Sequence, residues 1–205
     1  MGVDVRISQA RRLSLVLAIN IAMVFGLLAV GLVAHSLAVI AAGADYLGDA
    51  LGTGLSLAAL EFSRRGPGHP RARLFAALFN SSFLLAVTVA VAAEAVYRLS
   101  SGAPEVRGLP VVIVSLLAAA AMILCAAILG DVAGDLNLQS VMLDTVADAA
   151  AAIGVAVSGA IILVTGGHYW LDPLVALVIA LVVAYHALRL VRRALGELRG
   201  APAGG

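Results

Sequence analysis

The chain has 205 residues, of which 62% are hydrophobic and only 12% charged. Its mean hydropathy is +1.07, far from the near-half apolar, quarter-charged mixture of soluble domains. That composition reads as an integral membrane protein with no room for a soluble domain. A net charge of +1, with thirteen arginines, no lysine and no basic tract, excludes a nucleic-acid partner. The single cysteine, Cys125, can form no internal disulfide.

A bilayer core of about 30 Å takes about 20 apolar residues of helix to cross, and six such windows follow in order. The polar opening MGVDVRISQARR leads into residues 13–34, too long for the apolar stretch of a signal peptide and so expected to stay as a span. After His35 comes the second window, 36–60. The connector EFSRRGPGHPRAR precedes the third, 74–98, and SSGAPEVRGL the fourth, 110–130. DVAGDLNLQ precedes the fifth, 140–165, and GGHY the sixth, 170–191, with Gly and Pro marking several breaks. The expected architecture is all-α: a polytopic membrane protein of six transmembrane helices in a lipid bilayer. Residues 1–195 form the transmembrane domain and 196–205 a short disordered tail, with no cytoplasmic domain.

Arginines set the orientation through their preference for the cytoplasmic side. Arg6, Arg11, Arg12, Arg64, Arg65, Arg71, Arg73, Arg189, Arg192, Arg193 and Arg199 share one set of ends, against Arg98 and Arg107 on the other. Both termini are therefore expected in the cytoplasm, with Tyr169 and Trp170 anchoring the start of span six at the outer interface. The all-arginine, alanine-rich usage points to a bacterial source and hence to the inner membrane.

Of the twelve acidic residues, Asp4, Glu61, Glu105, Asp131, Asp135, Asp172 and Glu197 fall at span ends or in connectors, where water is expected to reach them. Glu94 stands four residues before Arg98, a spacing that lets the two pair on one helix. The other four are Asp45 and Asp49, in AGADYLGDALG, and Asp144 and Asp148, in LDTVAD. Each pair lies one turn apart on one helix face. A charge at bilayer depth costs about 2.5 to 3.5 kcal/mol on insertion scales and faces a bundle interior or an aqueous cavity by default.

Span two runs inward and span five outward. At about 1.5 Å per residue, Asp45 and Asp49 lie roughly 14 to 20 Å from the outer start of their span. Asp144 and Asp148 lie roughly 6 to 12 Å from the inner start of theirs. In a core of about 30 Å these levels nearly meet, so two antiparallel helices can bring four carboxylates together near the membrane middle. No basic residue lies at that depth in any span, which leaves protons or a bound cation to neutralise them. Like charges this close resist simultaneous ionisation, and a divalent cation favours the ionised forms and drives protons off. That competition is the physical basis of metal/proton antiport.

The segments HSLAVIAAGADYLGDALGTGLSLAAL, RARLFAALFN, EAVYRL, LNLQSVMLDTVADAAAAIGV and YWLDPLVALVIALVVAYHALRL, in that order, resemble the transmembrane domain of a cation diffusion facilitator. The resemblance covers nearly the whole chain. It implies export of divalent transition metals from the cytoplasm in exchange for protons, and no enzyme activity or resident cofactor. It also implies a tetrahedral metal site at mid-membrane, with two ligands each from spans two and five. Those positions are Asp45, Asp49, Asp144 and Asp148.

Zinc is the expected cargo, then cadmium and cobalt, since LNLQSVML resembles that branch of the family and zinc accepts carboxylate oxygens at about 2.0 to 2.2 Å. Asp144, however, stands where many zinc-transporting members have histidine. All-oxygen sites lean toward harder ions, so manganese or iron export is the alternative within the family. The resemblance also lacks the cytoplasmic domain that members usually carry after span six. A homodimer would then have to be held by packing within the membrane, which the many small residues permit.

Smaller features carry lighter expectations. His69 can be set against an accessory metal site, but a lone histidine among arginines is more simply solvated. His35 and His168 fall on the outer side, and His186 sits in span six near the cytoplasm with its face undetermined. Asn20 and Asn80 are expected to hydrogen-bond between helices. Gly43, Gly48, Gly52 and Gly54 make span two thin and adaptable. From other classes, an intramembrane aspartyl protease is the rival, since YLGDALG echoes such a motif. A catalytic dyad, however, needs two carboxylates sharing one proton, not four in two matched turns. A noncatalytic assembly protein with buried acids is the third reading.

Overall fold

The computed structural model describes residues 2–65, 70–129 and 136–200, with side chains over 11–12, 14–55, 58, 78–128, 142–192 and 195–196. Six helices follow one another: α1 Gly2–Ala34, α2 Leu37–Arg65, α3 Pro70–Ser101, α4 Gly108–Leu129, α5 Leu136–Thr165 and α6 Leu171–Gly200. Each overlies one of the six apolar windows and extends past it where the flanking residues still favour a helix. Proline at the head of α3 suits that place, because the first turn has no intrahelical use for its missing N–H. His69 and residues 201–205 lie outside the described residues, while residues 196–200 of the expected tail continue α6.

Among the described residues, five of the helices are long and apolar enough to cross a membrane, over Ser14–Ala34, Leu78–Ser101, Gly108–Ile128, Met142–Thr165 and Leu171–Arg192. The exception is α2, whose hydropathy is lowered by Asp45, Asp49 and its glycines. It is also the helix with the most protein around it, touching α1, α3, α5 and α6. The most extensive pairings elsewhere are α3 with α6 and α4 with α5.

The distribution of side-chain size is the reverse of that in a soluble bundle. Small residues fill the interior, among them Ala38, Ala95, Ala118, Ala152 and Ala176, while Phe25, Phe79, Leu143 and Val164 point outward. Lipid tails are as apolar as leucine, so helices in a bilayer associate by close van der Waals approach rather than by hiding large side chains. One such close approach is between α4 and α5. A Cβ added at Gly108 would stand 2.7 Å from the Gly159 carbonyl oxygen and 2.8 Å from the Leu163 amide nitrogen. Within α2, Gly43 and Gly48 meet Leu28 and Leu84, whereas Gly52 and Gly54 face open space. The thinness expected of all four thus serves packing at two.

The turn from α1 to α2 is two residues long and fully hydrogen-bonded. His35 adopts a left-handed φ of 58°. The Ser36 N–H reaches back to the Gly31 carbonyl at 3.0 Å and the His35 N–H to Leu32 at 3.4 Å, the pairing of a Schellman cap. Glu94 and Arg98 pair at 2.7 Å as their spacing predicts. The Arg98 guanidinium also donates to the His35 carbonyl at 3.1 Å, tying the end of α3 to this turn.

Candidate metal centre

The start of α2 is set by a residue from the far end of the chain. The Ser36 hydroxyl accepts from the Val39 N–H at 3.2 Å, an N-cap, and donates to Asp172 Oδ1 at 2.5 Å. Asp172 Oδ2 accepts the Leu37 N–H at 2.6 Å, and Oδ1 the Ala38 N–H at 3.4 Å. Asp172 itself lies in the first turn of α6, so one carboxylate faces the positive ends of two helices. The expectation that water reaches Asp172 is corrected here: it is 1% exposed, because the backbone amides of α2 take the place of water.

With its start held there, α2 carries Asp45 and Asp49 inward on successive turns, both half-buried. Asp148 on α5 is buried, at 7% exposure, with its carboxyl within hydrogen-bonding reach of both Asp45 and Asp49. Asp144, one turn earlier on α5, is exposed, yet close enough for its charge to act on the other three. The four aspartates singled out by charge and depth therefore neighbour one another, three tightly and Asp144 at the edge. Among the described residues, no three His, Cys, Asp or Glu side chains stand at metal-ligand separation.

Three neighbours were not readable as part of this group. Tyr46, between the two α2 aspartates, is 2% exposed and its hydroxyl has no hydrogen-bond partner among the described residues; Asp148 is its strongest charged neighbour. Cys125 of α4 is fully buried and also feels Asp148. His186 of α6 lies where its charge acts on Asp49 and Asp144. Its depth was available in the sequence, but not the helix face it occupies. A narrow crevice between α2, α3 and α6 reaches Asp45 past Thr88, Ile179 and Val183. A second, between α2 and α3, is lined in part by Asn80. Among the described residues the Oδ1 atoms of Asn20 and Asn80 have no hydrogen-bond partner, so the acceptor side of the expected interhelical bonds is not made.

Chemically, such a group can take up protons or exchange them for a cation whose ligands are carboxylate oxygens. Residues 13–198 match the cation efflux transmembrane domain. A zinc transporter ZitB of Yersinia pseudotuberculosis is 29% identical over 95% of this chain and 65% of its own length. A cadmium, cobalt and zinc/H(+)-K(+) antiporter of Bacillus velezensis is 27% identical over 85% and 60% respectively. The metal cation efflux system protein CzcD of Cupriavidus metallidurans is 28% identical over 92% and 61%. The chain thus spans less than two thirds of the length of these relatives.

Proposed function

This chain belongs to the cation efflux family, and from that membership together with its aspartate cluster we propose that it exports a divalent transition metal from the cytoplasm in exchange for protons. The family is one of transporters, which removes the intramembrane protease from consideration. The observation that carries the proposal is the meeting of α2 and α5 carboxyls: Asp148 within reach of Asp45 and Asp49, with Asp144 beside them. In the bilayer these groups need a positive partner, and protons and a metal ion compete for the same oxygens.

Asp45, Asp49, Asp144 and Asp148 are the proposed ligands. The ion enters from the cytoplasmic side, where both termini lie under the arginine asymmetry, and leaves across a bacterial inner membrane. Zinc is the proposed first substrate, supported by the zinc, cadmium and cobalt named for the relatives; the all-carboxylate ligand set keeps manganese as the competing cargo. Alternating access follows if α2, with its glycine contacts to neighbours, rocks against them.

Purified protein in proteoliposomes carrying a pH-sensitive dye tests this. Zinc added outside should drive proton movement that Asp45→Asn and Asp148→Asn lower more than about tenfold. Absence of proton flux for zinc, cadmium, cobalt, manganese and iron alike would overturn it.

A further inference from the structure

The Asp172 contact fixes more than the start of α2. Because Asp172 bonds Ser36, Leu37 and Ala38, α2 and α6 begin level with each other and run in the same direction. Counting from that pin at about 1.5 Å per residue, Asp49 lies roughly 20 Å along α2 and His186 roughly 21 Å along α6. The faces agree as well as the depths. Asp45 shares a crevice with Ile179 and Val183 of α6. Asp49 follows Asp45 by one turn of α2, and His186 follows Val183 by three residues and Ile179 by seven, the spacing of one helix face. The same imidazole lies close enough to act on Asp49 and Asp144. It is exposed, its ring tilted against Tyr185 with centroids 5.8 Å apart.

We infer that His186 is a nitrogen ligand at the mouth of the aspartate centre, binding a divalent transition-metal ion together with Asp49 and Asp144. The carboxylates alone suit hard ions, whereas an imidazole suits zinc, copper, iron and nickel. A single histidine reaching the group from a third helix therefore biases it toward zinc over manganese. It also places a ligand from α6 on an ion otherwise held between α2 and α5, so that occupancy couples all three helices. Binding draws the three side chains together by rotation about their χ angles, on helices whose register is already set. The inference rests on the proposed transport reading for the passage of the ion, and on its own geometry for the binding.

The experiment is a cobalt absorption titration of the full-length chain in detergent, with zinc and manganese as competitors, on the wild type, His186→Gln and His186→Cys. His186→Gln should lower zinc affinity roughly tenfold or more while leaving manganese affinity nearly unchanged. His186→Cys should keep zinc binding and add a thiolate-to-cobalt charge-transfer band that the wild type lacks. Because the side chain is exposed, both variants should run as the wild type on size exclusion. An unchanged zinc-to-manganese ratio in His186→Gln, or no new band in His186→Cys, would overturn the inference. Zinc-driven proton flux of the wild type is measured in parallel. Flux with binding independent of His186 refutes this inference alone, and His186-dependent binding without flux supports it while refuting the transport reading.

Discussion

Asp172 on α6 accepts the Ser36 hydroxyl at 2.5 Å across a separation of 136 residues. The same carboxylate closes two backbone amides at the start of α2. In a bilayer those amides have no water to turn to, so each would cost several kcal/mol if left open. The contact is thus both a cap and a clamp that sets how far α6 has slid along α2.

Asp172→Ala should destabilise the protein by about 3 kcal/mol, since buried N–H groups lose their acceptor. Asp172→Asn, which keeps an oxygen but loses the charge opposite the α2 dipole, should cost about 1 kcal/mol. Ser36→Ala should cost about 1 kcal/mol, because Asp172 still holds Leu37. Reversible unfolding in mixed micelles, followed by circular dichroism, reads all three; equal losses for Asp172→Ala and Ser36→Ala would show that the carboxylate adds nothing beyond the serine cap.

Among the aspartates, position sets the expected order of damage. Asp148→Asn removes the carboxyl that reaches both α2 partners and should lower zinc-driven proton flux more than about tenfold. Asp144→Asn alters an exposed group at the edge and should cost less. Flux measured at several zinc concentrations separates affinity from turnover, and a larger loss at Asp144 would reverse the order.

Asp144→His adds a second imidazole beside His186. It should raise the zinc-to-manganese preference, as nitrogen ligands favour zinc. Competition between the two metals in a transport assay measures the ratio, which should fall below that of the wild type only if oxygen donors at this position select zinc.

Two glycines give a contrast in packing. A methyl at Gly108 meets backbone atoms of Gly159 and Leu163 at 2.7 and 2.8 Å, so Gly108→Ala should force α4 from α5 at a cost of about 1 to 3 kcal/mol. At Gly48 the 2.7 Å contact is the end of the Leu84 side chain, which can turn away. Gly48→Ala should therefore cost less than about 1 kcal/mol. Thermal unfolding of the two variants side by side checks the difference.

The helices were legible because hydropathy alone imposes them: lipid requires each backbone group to be bonded within its own segment, and the apolar windows have the length of a bilayer. The neighbouring of Asp45, Asp49, Asp144 and Asp148 was legible for a related reason, since an acid at depth must seek company. What depended on tertiary register stayed hidden. Asp172 looks like any acid at a span end until α2 is laid beside it, and no local pattern announces a partner 136 residues away. His186 was visible as a residue but its face was not, because α6 is apolar on nearly every side over Leu171–Tyr185 and so offers no periodic signal. Asn20 and Asn80 show the limit of a general rule: buried amide groups usually find partners, and here the side-chain oxygen of each finds none among the described residues.

The order of synthesis gives α2 a further property. It is the second helix made and, over its described residues, is less apolar than the five that could cross a membrane, yet two of its first amides are closed by Asp172 of α6 and its acidic companion Asp148 comes from α5. A nascent chain that has emitted only its first two segments lacks the Asp172 acceptor for Leu37 and Ala38 and the Asp148 neighbour of Asp45 and Asp49. On this basis a ribosome-bound chain truncated before Asp172 should leave α2 accessible to water-soluble labels that the finished protein excludes.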